Sequence, residues 1–136
     1  MSQQSRPALS ELENRVLQIV WDRGTATSEE VRVDLEAEQS LKDSTIRTIL
    51  RRLEEKGYTT HSVAGRTYRY QATSPPEAVA AGAVRQVIDQ FCRGSVENLL
   101  VGMVESEVIT PQKLAQLAQK IAESKQQTTS SKKTRR

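Results

Sequence analysis

The segment DSTIRTILRRLEE, Asp43 to Glu55, constrains the fold of this chain more than any other. Its apolar residues Ile46, Ile49, Leu50 and Leu53 recur at the spacing of one helical face, and at about 100° per residue they gather within about 50° of one direction. A stripe that narrow must be covered by other elements while the rest of the helix stays wet. Asp43 or Ser44 is the expected N-cap, and Gly57 ends the helix. The pattern then changes period. YTTHSV and TYRYQA read as two strands around a turn at Ala64, Gly65 and Arg66, with Tyr68 and Tyr70 on one face and Thr67, Arg69 and Gln71 on the other.

Two capped helices precede this unit. Ser10 and Glu13 have the spacing of a capping box, Leu12, Val16, Ile19 and Val20 follow as an apolar stripe, and Gly24 closes the helix. Thr25 and Ala26 leave room for a short extended link. Thr27 and Glu30 repeat the box and open a second helix with Val31 and Leu35 facing inward, fading near Glu38. The order over residues 1–72 is helix, helix, helix, hairpin.

TSPPE, residues 73–77, is the expected linker, because consecutive prolines stiffen the chain. Residues 78–124 then read as helical throughout, with Gly94 as a stop and Thr110 before Pro111 as a start. Val84, Val87, Ile88 and Phe91 lie on the first of three helices, Val96, Leu99, Leu100 and Met103 on the second, and Leu114, Leu117 and Ile121 on the third. Three short amphipathic helices expose too much apolar stripe to stand alone, so these residues are expected to pack against a second copy in a homodimer. Residues 125–136, polar and basic without periodicity, read as a disordered tail. The fold class expected is mostly α with a small β-hairpin: a winged helix-turn-helix domain followed by a three-helix dimerisation module.

The net charge of +3 becomes informative when divided along the chain. Residues 1–41, 42–72, 73–124 and 125–136 carry −4, +4, −2 and +5. Positive charge thus collects on the 43–55 helix with its hairpin, and on the tail, the layout of a surface for a polyanion. A lone Cys92 and a lone His61 supply neither a disulfide nor a metal site, and no acid and base converge for catalysis. No catalytic residue, metal or cofactor is expected. Without an apolar run of membrane length or a signal-peptide pattern, a soluble, cytoplasmic protein with no membrane partner is expected.

Opposite the apolar stripe of the 43–55 helix lie Ser44, Thr48, Arg51 and Glu55, with Arg47 on one edge and Thr45 and Arg52 on the other. Any solvated helix has a charged outer face. Here the capped helix before it, the basic hairpin after it and the local charge of +4 together describe a recognition helix, residues 44–56, with a wing, residues 58–72. Arginines can grip guanine or phosphate, and short hydroxyls let the backbone approach closely. Arg66 at the hairpin tip is either a phosphate or minor-groove contact or a solvated turn residue. The competing reading is a winged-helix interaction module whose basic face binds an acidic protein partner; it predicts no preference among duplexes.

LSELENRVLQIVW, TIRTILRRLEEKG and GRTYRY resemble the penicillinase-repressor family of bacterial transcriptional repressors, over roughly residues 9–124. The resemblance implies a homodimer that binds double-stranded DNA at palindromic operators, typically built on TACA and TGTA half-sites. It carries DNA contacts onto Ser44, Thr45, Arg47, Thr48 and Arg52, with the wing at Arg66. Ser44 stands where the β-lactam-responsive members have lysine, so that phosphate contact is expected either to be lost or to be taken over by Lys42 or Arg51. A regulatory protease is a partner in that branch, but the Asn-Phe cleavage signature is absent at Gly102 and Met103. The paired Cys-X-Cys motifs of the copper-responsive branch are absent too. Trp21, nearly opposite Leu12, is expected to pack against the hairpin or the dimer module. Cys92 reads as a small apolar residue, and His61 as surface or hairpin packing.

Overall fold

The computed structural model describes the backbone of residues 6–134 and the side chains of residues 6–126. The elements run α1 (Glu11–Arg23), α2 (Ser28–Leu35), α3 (Asp43–Glu55), β1 (Thr59–Ala64), β2 (Thr67–Ala72), α4 (Pro76–Phe91), α5 (Val96–Glu105) and α6 (Pro111–Thr134). They divide into two compact units, Met1–Gln86 and Val87–Arg136.

The first unit is built on the interlocking apolar faces of α1, α2 and α3. Val16, Leu17 and Val20 of α1, Val31 and Leu35 of α2, and Ile46, Leu50 and Leu53 of α3 are all essentially inaccessible to water. Burial of each such side chain contributes about 1.5–3 kcal/mol. Leu17 belongs to this core although the sequence stripe omits it, because the α1 face is buried on two sides at once; Leu12 is only partly covered. Both expected capping boxes are formed. Ser10 accepts from Glu13 N–H and the Glu13 carboxylate accepts from Ser10 N–H; Thr27 and Glu30 repeat this for α2. Gly24 takes φ +81 at the α1 terminus, a conformation costly for a residue with a Cβ.

α3 departs from expectation at its start. Its N-cap is Lys42, not Asp43 or Ser44, and no side chain bonds to its first free N–H groups. Asp43 is already helical, and its carboxylate is turned to Arg47 instead. At the other end Gly57, at φ +91, lets Tyr58 N–H reach back to Leu53 O, so β1 begins at Thr59 and not at Tyr58.

β1 and β2 pair antiparallel with His61 opposite Tyr70 and Val63 opposite Tyr68. Ala64 pairs with Thr67, which leaves Gly65 and Arg66 as a two-residue turn, one shorter than the sequence reading has it; Gly65 supplies the positive φ. The link at Ala26 does more than connect helices. Ala26 and Tyr70 exchange both backbone hydrogen bonds, at 2.9 and 2.8 Å, so the link adds a rung beside β2 and fixes the hairpin to the helices. Trp21 packs beside it and donates from Nε1 to Ser74 O at 2.9 Å, just past β2.

The prolines at 75 and 76 do not mark the edge of this unit. Val79 of α4 packs on its core and Gln86 Nε2 reaches Arg6 O, so the division falls inside α4, between Gln86 and Val87. In the second unit Thr110, the expected start signal, caps α6 by accepting from Lys113 N–H, and Ser95 caps α5 by accepting from Asn98 N–H. α6 continues to Thr134 where a disordered tail from Lys125 is expected; after Pro111 the sequence holds no Gly or Pro to stop it. Arg135 and Arg136 lie outside the described residues. Among the described residues no helix is long and apolar enough to cross a membrane.

Candidate nucleic-acid interface

The core fixes which way α3 faces. With Ile46, Ile49, Leu50 and Leu53 buried, Ser44, Thr45, Arg47, Arg51 and Arg52 are exposed together and Thr48 is half-buried among them. The Thr48 hydroxyl donates to Ser44 O at 3.0 Å. Its proton is therefore engaged, and what it offers outward is an acceptor oxygen and a methyl group.

The hairpin is held against one edge of this helix. Nδ1 of His61 lies 2.7 Å from Glu54 Oε1 in the last turn of α3, and the His61 ring stacks on Tyr68 at 4.1 Å between centroids and 8° between planes. Tyr70 is buried beneath, where burial raises its hydroxyl above the ordinary value of 10.0. The hairpin is thus tied to α3 by one polar contact and to the α1–α2 link by the Ala26 rung. Arg66 projects at the turn, fully on the surface.

The pairing of charges separates the cations from α1 to β2 into two groups. Arg15 bonds Glu38, Arg23 bonds Asp34, Arg32 bonds Glu29, Lys56 bonds Glu13 and Arg69 lies 3.7 Å from Glu30. Arg47 lies 3.0 Å from Asp43. By contrast, Lys42, Arg51, Arg52 and Arg66 make no ion pair with any described residue. The paired arginines of α1 and α2 are held in the charged form by their partners, which in turn are pushed below the usual carboxylate range at Asp34, Glu38 and Glu29. Glu13 is the buried member of this set. Burial pushes its carboxyl up, but bonds from Lys56 Nζ at 2.6 Å and from the Ser10 cap outweigh that, and it too sits below its ordinary value.

Helix termini divide the same way. α1 and α2 begin with closed capping boxes, whereas α3 leaves its first-turn N–H groups without a side-chain acceptor, on the face that carries the unpaired cations. Open N–H groups at the positive end of a helix attract anions.

The residues nominated for dimerisation are spread over both units. Val84 belongs to the first and is exposed. In the second, Val87, Phe91, Val96 and Ile121 are exposed, Leu99, Leu100, Met103, Leu114 and Leu117 are half-buried, and Ile88 alone is buried. Val101 and Val108, also exposed, are missing from the sequence reading. Asp43 is read there only as a candidate cap, although its spacing four residues before Arg47 is visible in the sequence.

Three helices with a hairpin folded beside the third define a winged helix-turn-helix. The family model for the penicillinase repressor matches residues 9–123, and the chain belongs to that family of transcriptional repressors with a DNA-binding fold. The chain is 27% identical to an uncharacterised 16.5 kDa protein from the ptsI 3′ region of Latilactobacillus sakei, over 76% of this chain and 71% of that one. It is 23% identical to the penicillinase repressor of Bacillus licheniformis, over 88% of this chain and 93% of that one. Among solved structures it is similar to the monomeric form of Bacillus licheniformis BlaI in complex with the blaP half-operator, at 27% identity and a TM-score of 0.47, covering 55% of this chain and 92% of that one.

Proposed function

We propose that this protein is a cytoplasmic homodimeric repressor that binds a palindromic operator and occludes a promoter, each subunit placing α3 in the major groove and the hairpin wing along the flanking backbone. One observation carries the reading. From α1 to β2, the cations left without an acid, Lys42, Arg51, Arg52 and Arg66, are those of the α3 polar face and the wing tip, while the arginines of α1 and α2 are neutralised internally. Ser44 and Thr45 sit in the open first turn, where backbone N–H groups and hydroxyls can hold a phosphate. Thr48 presents its oxygen and methyl to base edges, and Arg52, Arg51 and Lys42 neutralise phosphates to either side.

Dimerisation in this reading is the work of the second unit. Phe91 is 73% exposed, Val108 68% and Ile121 60%, an apolar surface that a second copy would cover. A two-fold dimer reads a palindrome, with half-site spacing set by the axis. Gly102 and Met103 lie inside α5, in regular helical backbone, and we assign no regulatory cleavage to that bond.

The test is selection of duplexes from a randomised pool by the full chain, followed by affinity measurement on the enriched site, one isolated half of it and a scrambled duplex. Enrichment of a palindrome, with the half-site much weaker, is expected. Equal binding to all three would remove the proposal.

A further inference from the structure

The three arginines of α3 are not equivalent. Arg51 and Arg52 each have a carboxylate three or four residues on, Glu54 or Glu55, yet neither is paired with it; Glu54 is taken by His61. Arg47 is paired. Its Nε lies 3.0 Å from Oδ2 of Asp43, one turn earlier and the only acid in the first turn of α3. That carboxylate is not serving as a helix cap, because α3 has no side-chain cap.

Both partners are substantially exposed, so the pair adds little to the stability of the free protein. Its consequence is orientation. A guanidinium carries five N–H donors in a rigid fork, and a carboxylate lying against Nε leaves the two terminal nitrogens, side by side, free to donate. That pair of donors matches N7 and O6 of guanine in the major groove. The pair is also neutral as a whole, so it releases no counterions, and the free oxygen of Asp43 repels a phosphate approaching Arg47.

We propose that Asp43 is a positioning residue that holds Arg47 for bidentate recognition of one guanine per half-site and withholds it from the phosphate backbone. The inference rests on the reading of α3 as a DNA-recognition helix and adds which base it reads and what prevents the arginine from acting non-specifically. Arg51, Arg52 and Lys42 then supply the salt-dependent affinity, and Arg47 supplies discrimination.

The experiment uses the full chain, the randomised duplex pool, and affinity titrations at several salt concentrations on the enriched and a scrambled duplex. Thermal melting checks that the exposed substitutions leave the fold intact. The wild-type chain is expected to fix a guanine at one position of each half-site. Arg47→Ala should lose that preference by about ten- to a hundredfold with no change in the dependence on salt. Asp43→Ala, which keeps the arginine, should lose most of the preference at that same position and bind the scrambled duplex more tightly, with a steeper salt dependence, because the freed guanidinium reaches a phosphate. Asp43→Glu should restore part of the discrimination. If Asp43→Ala selects the same guanine with an unchanged salt dependence, the positioning role is wrong; if Arg47→Ala keeps the guanine, the base contact is wrong. Enrichment of no sequence by the wild-type chain overturns the DNA-recognition reading itself, and is seen before any variant is made.

Discussion

Arg15 and Arg52 are the same amino acid in the same unit and do opposite things. Arg15 spends its donors on Glu38, 23 residues away, while Arg52 stands in solvent with no acid bound to it. Arg52→Ala should therefore weaken binding to an operator and to random duplex alike, and lower the slope of log affinity against log salt by about 0.9 for each phosphate left without a cation; Arg15→Ala should leave both unchanged in the same titrations. Thr48 tests the other kind of interaction. Because its proton is committed to Ser44 O, Thr48→Ala removes an acceptor and a methyl but no charge, and should cost about 1–3 kcal/mol on the operator while sparing random duplex. Glu13 belongs to stability, not recognition. Its folded-state pKa is depressed below the ordinary 4.5, so its contribution is present in full above that value and is lost as pH falls through the lower, folded one. Melting temperature should drop with acidification below about pH 4.5, and Lys56→Ala, which strands a buried carboxylate, should cost about 1–3 kcal/mol at neutral pH.

At the scale of elements, what was legible in the sequence was whatever depends on local period and local caps. The stripe Ile46, Ile49, Leu50 and Leu53 fixed both the existence of α3 and the face it turns outward, and the two capping boxes and Gly24 marked the ends of α1 and the start of α2. The start of α3 was not legible, since Asp43 could cap the helix or pair with Arg47, and only packing decides between them. Nor was the Ala26 rung, which joins residues 44 positions apart and turns a simple link into a third strand position. The division of arginines into paired and unpaired was hidden for the same reason: Arg15 with Glu38 and Arg23 with Asp34 meet only once α1 and α2 are docked. The wing depends on these tertiary bonds more than on its own sequence, because an isolated two-stranded hairpin is marginal in water. A prediction at this scale concerns Gly24, whose φ of +81 faces open space. Gly24→Ala meets no neighbour and should still destabilise the unit by about 1–3 kcal/mol in a denaturant titration through backbone strain alone, leaving the preference among duplexes intact.

At the scale of the whole molecule the proposed function divides the work between the two units, recognition in one and valency in the other. One unit carries the α3 face and the wing; the other presents apolar side chains that a monomer leaves wet. Phe91→Asp changes an exposed residue and should not unfold the chain, yet in the proposed dimer it buries a charge; sedimentation should then show monomers, with operator affinity reduced toward that of a half-site. The claim on which everything else depends is that the polar face of α3 reads duplex DNA, and the most direct measurement is the affinity of the full chain for its selected palindrome relative to a scrambled duplex at one low salt concentration, for wild type and Thr48→Ala. The account predicts a preference on the order of a thousandfold or more for wild type, cut about tenfold by Thr48→Ala through weaker binding to the palindrome alone. Equal wild-type affinity for the two duplexes would contradict it.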